Sequence, residues 1–252
     1  MTNTPDDDRD GKSAAAKQDD PALGGDDFGI RQATLSSALA SVFRGKFCDA
    51  ILPNRQATTF EKGNVIYDVG EKERTFFFLL SGFVKVGTIT LDGHELIYDV
   101  RKGGDVVGEL CLSQHERPDR AVALEDTKAV PVPYDEVMEV MRKQLGLLDR
   151  LVELFCEALA EAYEQVNILA VDGTVHRLIK ALLRLSAKIG HRAGQFVEIP
   201  TYLTQEEISQ MVAARRERVS TALNFLRRRR MVSYSNHGYL TLDTKALENY
   251  SS

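Results

Sequence analysis

Between Thr204 and Phe225 the chain reads TQEEISQMVAARRERVSTALNF, a run that fits two short helices meeting at a tight turn. Thr204 and Glu207 have the spacing of a capping box: the threonine hydroxyl accepts from the Glu207 amide, and the glutamate carboxylate accepts from the Thr204 amide. Met211 and Val212 lie three and four residues after Ile208, so the first helix turns one face inward. The second repeats that spacing with Val219, Ala222, Leu223 and Leu226. This leaves Arg216, Glu217, Ser220 and Thr221 on its other face, with Arg215 and Arg218 beside them. Two helices so joined, the second with a charged exposed face, are the pattern of a helix-turn-helix whose second helix enters the DNA major groove.

The residues that follow extend the pattern. After Arg227 to Arg230 come Met231 to Tyr234, a turn at Asn236, His237 and Gly238, and Tyr239 to Leu242, which reads as a two-stranded hairpin. A hairpin in this place is the wing of a winged helix, with His237 at its tip and Arg228 and Arg229 at its base available to phosphates. Four consecutive arginines on one helix cannot all point outward, so one or two are expected to lie along the core edge. Residues 172 to 252 hold 13 Lys and Arg against 7 Asp and Glu, although the whole chain has a net charge of -5. A basic segment in an acidic chain marks the phosphate-facing surface, since neutralising phosphates supplies much of DNA affinity.

Elsewhere, charge and apolar content divide the chain. Residues 1 to 27 carry eight Asp against Arg9, Lys12 and Lys17 with almost nothing large and apolar, so residues 1–28 are expected to form a disordered acidic tail. The remaining sequence is long enough for two small cores. It has no run of 18 apolar residues and no signal-peptide pattern, so no membrane association is expected and a cytoplasmic location is. Cys48, Cys111 and Cys156 are far apart and odd in number, which suggests neither a disulfide scaffold nor a zinc finger.

From Thr59 to Pro133 the text becomes short strand-like runs, Phe76 to Leu80, Phe83 to Thr90 and Glu95 to Val100, separated by glycines. Such punctuation suggests an antiparallel barrel or jelly roll. A long helix follows. Leu148, Val152, Phe155, Leu159, Ala162, Val166 and Leu169 recur at alternating spacings of four and three until Asp172 and Gly173 interrupt. That seam asks for a second copy of the same helix, while Leu151, Leu154 and Ala158 offer another face to the barrel. The expected architecture is therefore α+β: a sensor domain at 29–145 with a β jelly roll, a dimerisation helix at 146–172, and a winged helix-turn-helix at 173–252.

A glycine-punctuated barrel, a long helix and a winged helix-turn-helix in this order resemble the bacterial regulators typified by the cyclic-AMP receptor protein and the fumarate-nitrate reductase regulator. The resemblance covers roughly residues 40 to 250 and rests on Gly82 to Val86, on Gly104-Asp-Val-Val-Gly-Glu-Leu110, and on Thr204 to Leu226. It implies a cyclic-nucleotide-binding-like barrel in which Gly108, Glu109 and Leu110 open a phosphate-binding cassette. Amides at a helix start favour a phosphate, and the glutamate accepts from a ribose hydroxyl. The cassette's arginine should follow nine to ten residues later. Here Arg117 and Arg120 stand 8 and 11 residues after Glu109, with Ala121 beyond, so either could fill the role. On the long helix, Ala162 and Tyr163 stand where the resemblance places polar adenine contacts. A displaced arginine and altered helix contacts lead us to expect that cyclic AMP binds weakly or not at all, and that the effector, if any, is another molecule. No cofactor or metal is expected: there is no cysteine cluster for iron and sulfur, and His94, His115 and Cys111 are isolated.

In the reading helix, Arg216 and Glu217 match the resemblance. Arg215 replaces a capping Ser or Thr, Ala213 a turn glycine, and Thr221 a later arginine. Arginine to guanine and glutamate to cytosine fit a G·C pair in each half of a palindromic duplex. The expected function is thus a homodimeric transcription regulator that works with RNA polymerase. The competing readings are a regulator activated by cyclic nucleotide and a regulatory subunit acting on a partner protein. No Walker loop, nucleophile elbow or paired-histidine motif points to an enzyme.

Overall fold

The computed structural model describes residues 46–112, 116–201 and 203–251. The acidic tail, the first part of the sensor segment and His115 lie outside the described residues. After a short helix α1 (Lys46–Ile51), eight strands follow: β1 (Thr58–Phe60), β2 (Val65–Tyr67), β3 (Thr75–Ser81), β4 (Phe83–Ile89), β5 (Glu95–Lys102), β6 (Val106–Val107), β7 (Arg120–Ala123) and β8 (Thr127–Pro133). They form two four-stranded antiparallel sheets, β1-β8-β3-β6 and β2-β7-β4-β5. β3 explains why part of this region reads as an unbroken apolar run. Leu79 and Phe77 turn toward the space between the sheets with Tyr67, Val84, Val86 and Ala121, whereas Phe76 and Phe78 turn outward under α1 and a helix α2 (Tyr134–Arg142). A strand covered on both faces needs no polar alternation.

The long helix α3 (Leu145–Val171) has 27 residues, about 40 Å at 1.5 Å per residue. Leu151 is buried against the outer sheet and α2, with Leu148 and Phe155 partly buried beside it. Two residues of the expected seam therefore already pack within their own chain. Val152, Leu159 and Val166, one heptad apart, are 62%, 51% and 62% exposed, and Ala162 is exposed with them while Leu169 is half-buried. Asp172 and Gly173 end the helix. Arg177 of the next helix, α4 (Thr174–Ile189), donates to the carbonyls of Leu169 and Asp172 at 2.7 and 2.9 Å, satisfying groups left open at the α3 C-terminus.

The C-terminal lobe adds β9 (His191–Ala193), β10 (Phe196–Glu198), α5 (Gln205–Met211), α6 (Arg216–Arg228), β11 (Val232–Tyr234), β12 (Leu240–Leu242) and α7 (Thr244–Ser251). Its sheet runs β11-β12-β10-β9, so the wing hairpin is widened by a second hairpin that the sequence reading missed. Leu178, Ile179, Leu182, Ile208, Val219, Leu223, Leu226 and Leu242 form the core, and Val100 and Leu124 of the barrel belong to the same cluster. Arg227 to Arg230 are all exposed, and Arg229 lies along the core edge over Phe225 and Tyr250. The helix ends at Arg228, and Arg230 takes a left-handed conformation, φ 59°, so the run turns a corner instead of circling one helix.

Candidate nucleic-acid interface and sensor pocket

Both halves of the capping box are present. Glu207 N donates to Thr204 Oγ1 at 3.1 Å, and Thr204 N donates to Glu207 Oε2 at 2.9 Å. The Thr204 hydroxyl also donates to that carboxylate at 2.9 Å, so its one donor is used in capping α5. Val212 continues the inward face, and Ala213 then turns the chain with φ 49°, the left-handed conformation in which glycine costs least. α6 starts at Arg216 with Arg215 as an N-cap whose side chain makes no capping bond.

Val219, Ala222, Leu223 and Leu226 anchor α6 from below, which leaves Arg215, Arg216, Glu217, Arg218 and Thr221 exposed and Ser220 half-buried. The face is open to solvent. Thr221 Oγ1 donates to the Glu217 carbonyl at 2.9 Å, so it offers a methyl group and acceptor capacity in place of a long cationic side chain. Of the wing-base arginines, Arg229 lies over Phe225 and Tyr250, 4.6 and 5.3 Å from their centroids, and Arg227 lies 5.4 Å over Tyr234. These rings hold the guanidiniums near the helix end while leaving them open to solvent. Arg228 and His237 are exposed, the latter 6.0 Å from the Tyr239 ring at the hairpin turn.

In the barrel, the structure distinguishes the two candidate arginines. Arg117 is buried, donating from Nη1 to Gly108 O at 3.4 Å and from Nη2 to Thr75 O at 2.7 Å, with its guanidinium 4.0 Å over the Tyr67 ring. Arg120 points elsewhere and pairs with Asp68 at 3.4 Å. Gly108 is required here: its φ is +88°, and a Cβ would stand 2.7 Å from Thr75 O and 2.9 Å from Arg117 Nη1. Glu109 opens a 3-10 turn to Leu112; it is buried, whereas Leu110 is exposed. Ala121 is buried in the intersheet core, and Tyr163 stands 64% exposed on α3. The barrel thus brings Gly108, Glu109 and Arg117 together and leaves Arg120, Leu110 and Tyr163 outside that group.

Four residues that the sequence reading passed over complete the site. Glu109 Oε1 pairs with Arg101 Nη2 at 2.9 Å, and Arg101 Nε pairs with Asp99 at 2.9 Å. Asp119 is buried and accepts from the Tyr67 hydroxyl at 2.9 Å. Burial first, then the negative charge of Glu109, push the Asp119 carboxyl up to about 6, and burial with Asp119 raises the Tyr67 hydroxyl well above its usual range. The space around Arg117 therefore holds two acids, and its cation is already engaged by backbone carbonyls. The sequence held one signal for this. Asp99 and Arg101, two apart on β5, place opposite charges on one strand face.

Among the described residues no helix is long and apolar enough to cross a membrane, and no His, Cys, Asp and Glu cluster could hold a metal.

Comparison with known proteins matches residues 57–144 to the cyclic nucleotide-binding domain and residues 176–250 to the Crp-like helix-turn-helix domain. A CRP-like cAMP-activated global transcriptional regulator of Mycobacterium tuberculosis is 26% identical over 214 residues, covering 83% of this chain and 92% of that protein. The global nitrogen regulator of Nostoc is 26% identical over 203 residues, covering 79% and 90%. The solved structure of FixK2 from Bradyrhizobium japonicum shares the fold, with a TM-score of 0.69 at 19% identity over 79% of this chain and 98% of that one. With a nucleotide-binding-type barrel, a long helix and a Crp-like reading head in one chain, this protein belongs to the CRP/FNR family of DNA-binding transcription regulators.

Proposed function

We propose that the chain acts in the cytoplasm as a homodimer that reads a palindromic duplex, works with RNA polymerase, performs no catalysis, and does so without cyclic AMP. The dimer rests on the exposed stripe Val152, Leu159 and Val166, which a second copy of α3 would bury. Two reading helices related by a two-fold axis then meet two half-sites one helical turn apart. Independence from cyclic AMP is carried by one observation: the sugar- and phosphate-directed side chains are already paired inside the barrel, Glu109 with Arg101 and Arg117 with two carbonyls. A phosphate must displace both carbonyls and approach Asp119 and Glu109. Each charge-assisted bond it fails to make costs roughly 1.5 to 3 kcal/mol.

Activation by cyclic AMP, the property for which the Mycobacterium tuberculosis relative is named, is the second reading, favoured by the shared location of Glu109 and Arg117. Calorimetry of ligand-stripped protein with cyclic AMP, together with gel shifts on the palindromic duplex, separates the two. The expected result is no heat of binding and an unchanged shift. Micromolar binding that is lost in Glu109→Ala and sharpens the shift establishes the second reading instead.

A further inference from the structure

The charges of the sensor pocket continue beyond it. Glu109 is paired with Arg101, Arg101 with Asp99, and the same Asp99 oxygen pairs with Lys188 near the end of α4, the first helix of the DNA-binding lobe. The four charges alternate, negative, positive, negative, positive, and all but the partly buried Asp99 are buried. Lys102 adds a backbone tie, its Nζ donating to the Lys188 carbonyl at 2.8 Å. Around the chain the two lobes share apolar packing, with Val100 and Leu124 of the barrel inside the cluster built by α4 and α6. A separate ion pair joins Lys85 of β4 to Glu207 of the capping box at 3.6 Å.

Ionised groups in such a place hold only while each keeps its partner, because removal of one leaves a desolvated charge uncompensated. A row of four therefore has few acceptable geometries. Arg101 is shared between Glu109 on the pocket side and Asp99 on the interface side, so whatever changes at Glu109 alters the field at Asp99 and hence its hold on Lys188. Electrostatics agree with the geometry: burial would raise Asp99, yet Lys188 and Arg101 hold it below the ordinary aspartate value.

We propose that Glu109, Arg101, Asp99 and Lys188 form a latch that fixes the DNA-binding lobe on the barrel with its reading face outward, and that any occupant of Glu109 acts on DNA by loosening this latch. The second half rests on reading Glu109 as a pocket residue. The first half needs no ligand.

The test measures full-length protein, free of nucleotide, on a duplex that the parent protein enriches from a randomised pool and on a random duplex. Lys188→Met and Asp99→Asn each lower affinity for the enriched duplex by about tenfold or more and leave random-duplex affinity unchanged. The double variant is no weaker than the weaker single, since one broken link opens the latch. Glu109→Gln, isosteric and remote from the lobe interface, shifts the same affinity at least about threefold. Circular dichroism and sedimentation establish that each variant is folded and keeps the parent's assembly state, and Asp99→Asn, nearly isosteric, serves if Lys188→Met does not fold. Enriched-duplex affinities within about twofold of the parent for both Asp99→Asn and Lys188→Met overturn the proposal, as does equal loss on both duplexes. A loss in those variants with no change in Glu109→Gln overturns the link to the pocket. Because no nucleotide is present, a finding that cyclic AMP does bind leaves these outcomes as they stand.

Discussion

Replacing Asp119 by asparagine should stabilise the protein near neutral pH and leave it almost unchanged in acid. Asp119 is 2% exposed, accepts from Tyr67, and has its carboxyl pushed from 3.8 up to about 6 by burial and by Glu109, with Tyr67 and Arg117 only partly offsetting them. A carboxyl raised from 3.8 to about 6 corresponds to an upper bound of roughly 3 kcal/mol. Since the folded value lies above the unfolded one, the advantage of the protonated carboxyl is fully present below about pH 4 and is lost as pH rises through about 6. At neutral pH the fold carries a buried anion that asparagine would remove, while the amide oxygen keeps an acceptor for Tyr67. Urea unfolding at about pH 4.5 and about pH 7.5 should therefore show the Asn variant gaining on the parent as pH rises, by up to about 3 kcal/mol, with equal m-values. Other titrating groups cancel in the comparison. Parallel stability curves, or an Asn variant weaker than the parent at the higher pH, would refute the reasoning.

Val166→Asp should turn the proposed dimer into a monomer in sedimentation and remove specific DNA binding with it, because Val166 is exposed in the single chain and leaves the intrachain core untouched. Arg216→Ala should cost roughly 1 to 3 kcal/mol of discrimination at one base pair per half-site, whereas Arg228→Ala should weaken all duplexes alike and flatten the salt slope. Ala213→Gly should raise stability by up to about 1 kcal/mol in thermal unfolding, since the residue sits at φ 49°; a loss of stability would mean that the turn tolerates a side chain without strain. Gly108→Ala should lower the melting temperature of the barrel, because its Cβ would stand 2.7 Å from a backbone oxygen.

What the sequence made legible was local. The Thr204 and Glu207 box, the periodic apolar face of α6 and the turn at Ala213 each depend on residues within a few positions of one another, and the structure contains all three. Short strands were harder. β6 has two residues and is a strand only through its pairing with β3, thirty positions earlier, while β9 has three residues, all exposed, whose composition shows no apolar alternation although its partner β10 follows directly. The pocket divides the same way. Gly108 and Glu109 carry a readable signature, but that Arg117 and not Arg120 lies beside Gly108 depends on where Thr75 places its carbonyl, 42 residues before Arg117. Lys188, on the expected DNA-binding lobe, gave no sign that it would be buried against Asp99, 89 positions away, because a lone lysine on an amphipathic helix reads as a solvated one.

The shared cluster that places Val100 and Leu124 among the side chains of α4 and α6 bears on how the molecule comes apart. An excised reading head beginning at Thr174 would present to water the apolar surface those two residues cover. Melting of the intact chain should accordingly approach a single cooperative calorimetric transition, while the excised head melts lower. Attaching the reading head to an unrelated barrel would require that barrel to supply an equivalent apolar pair.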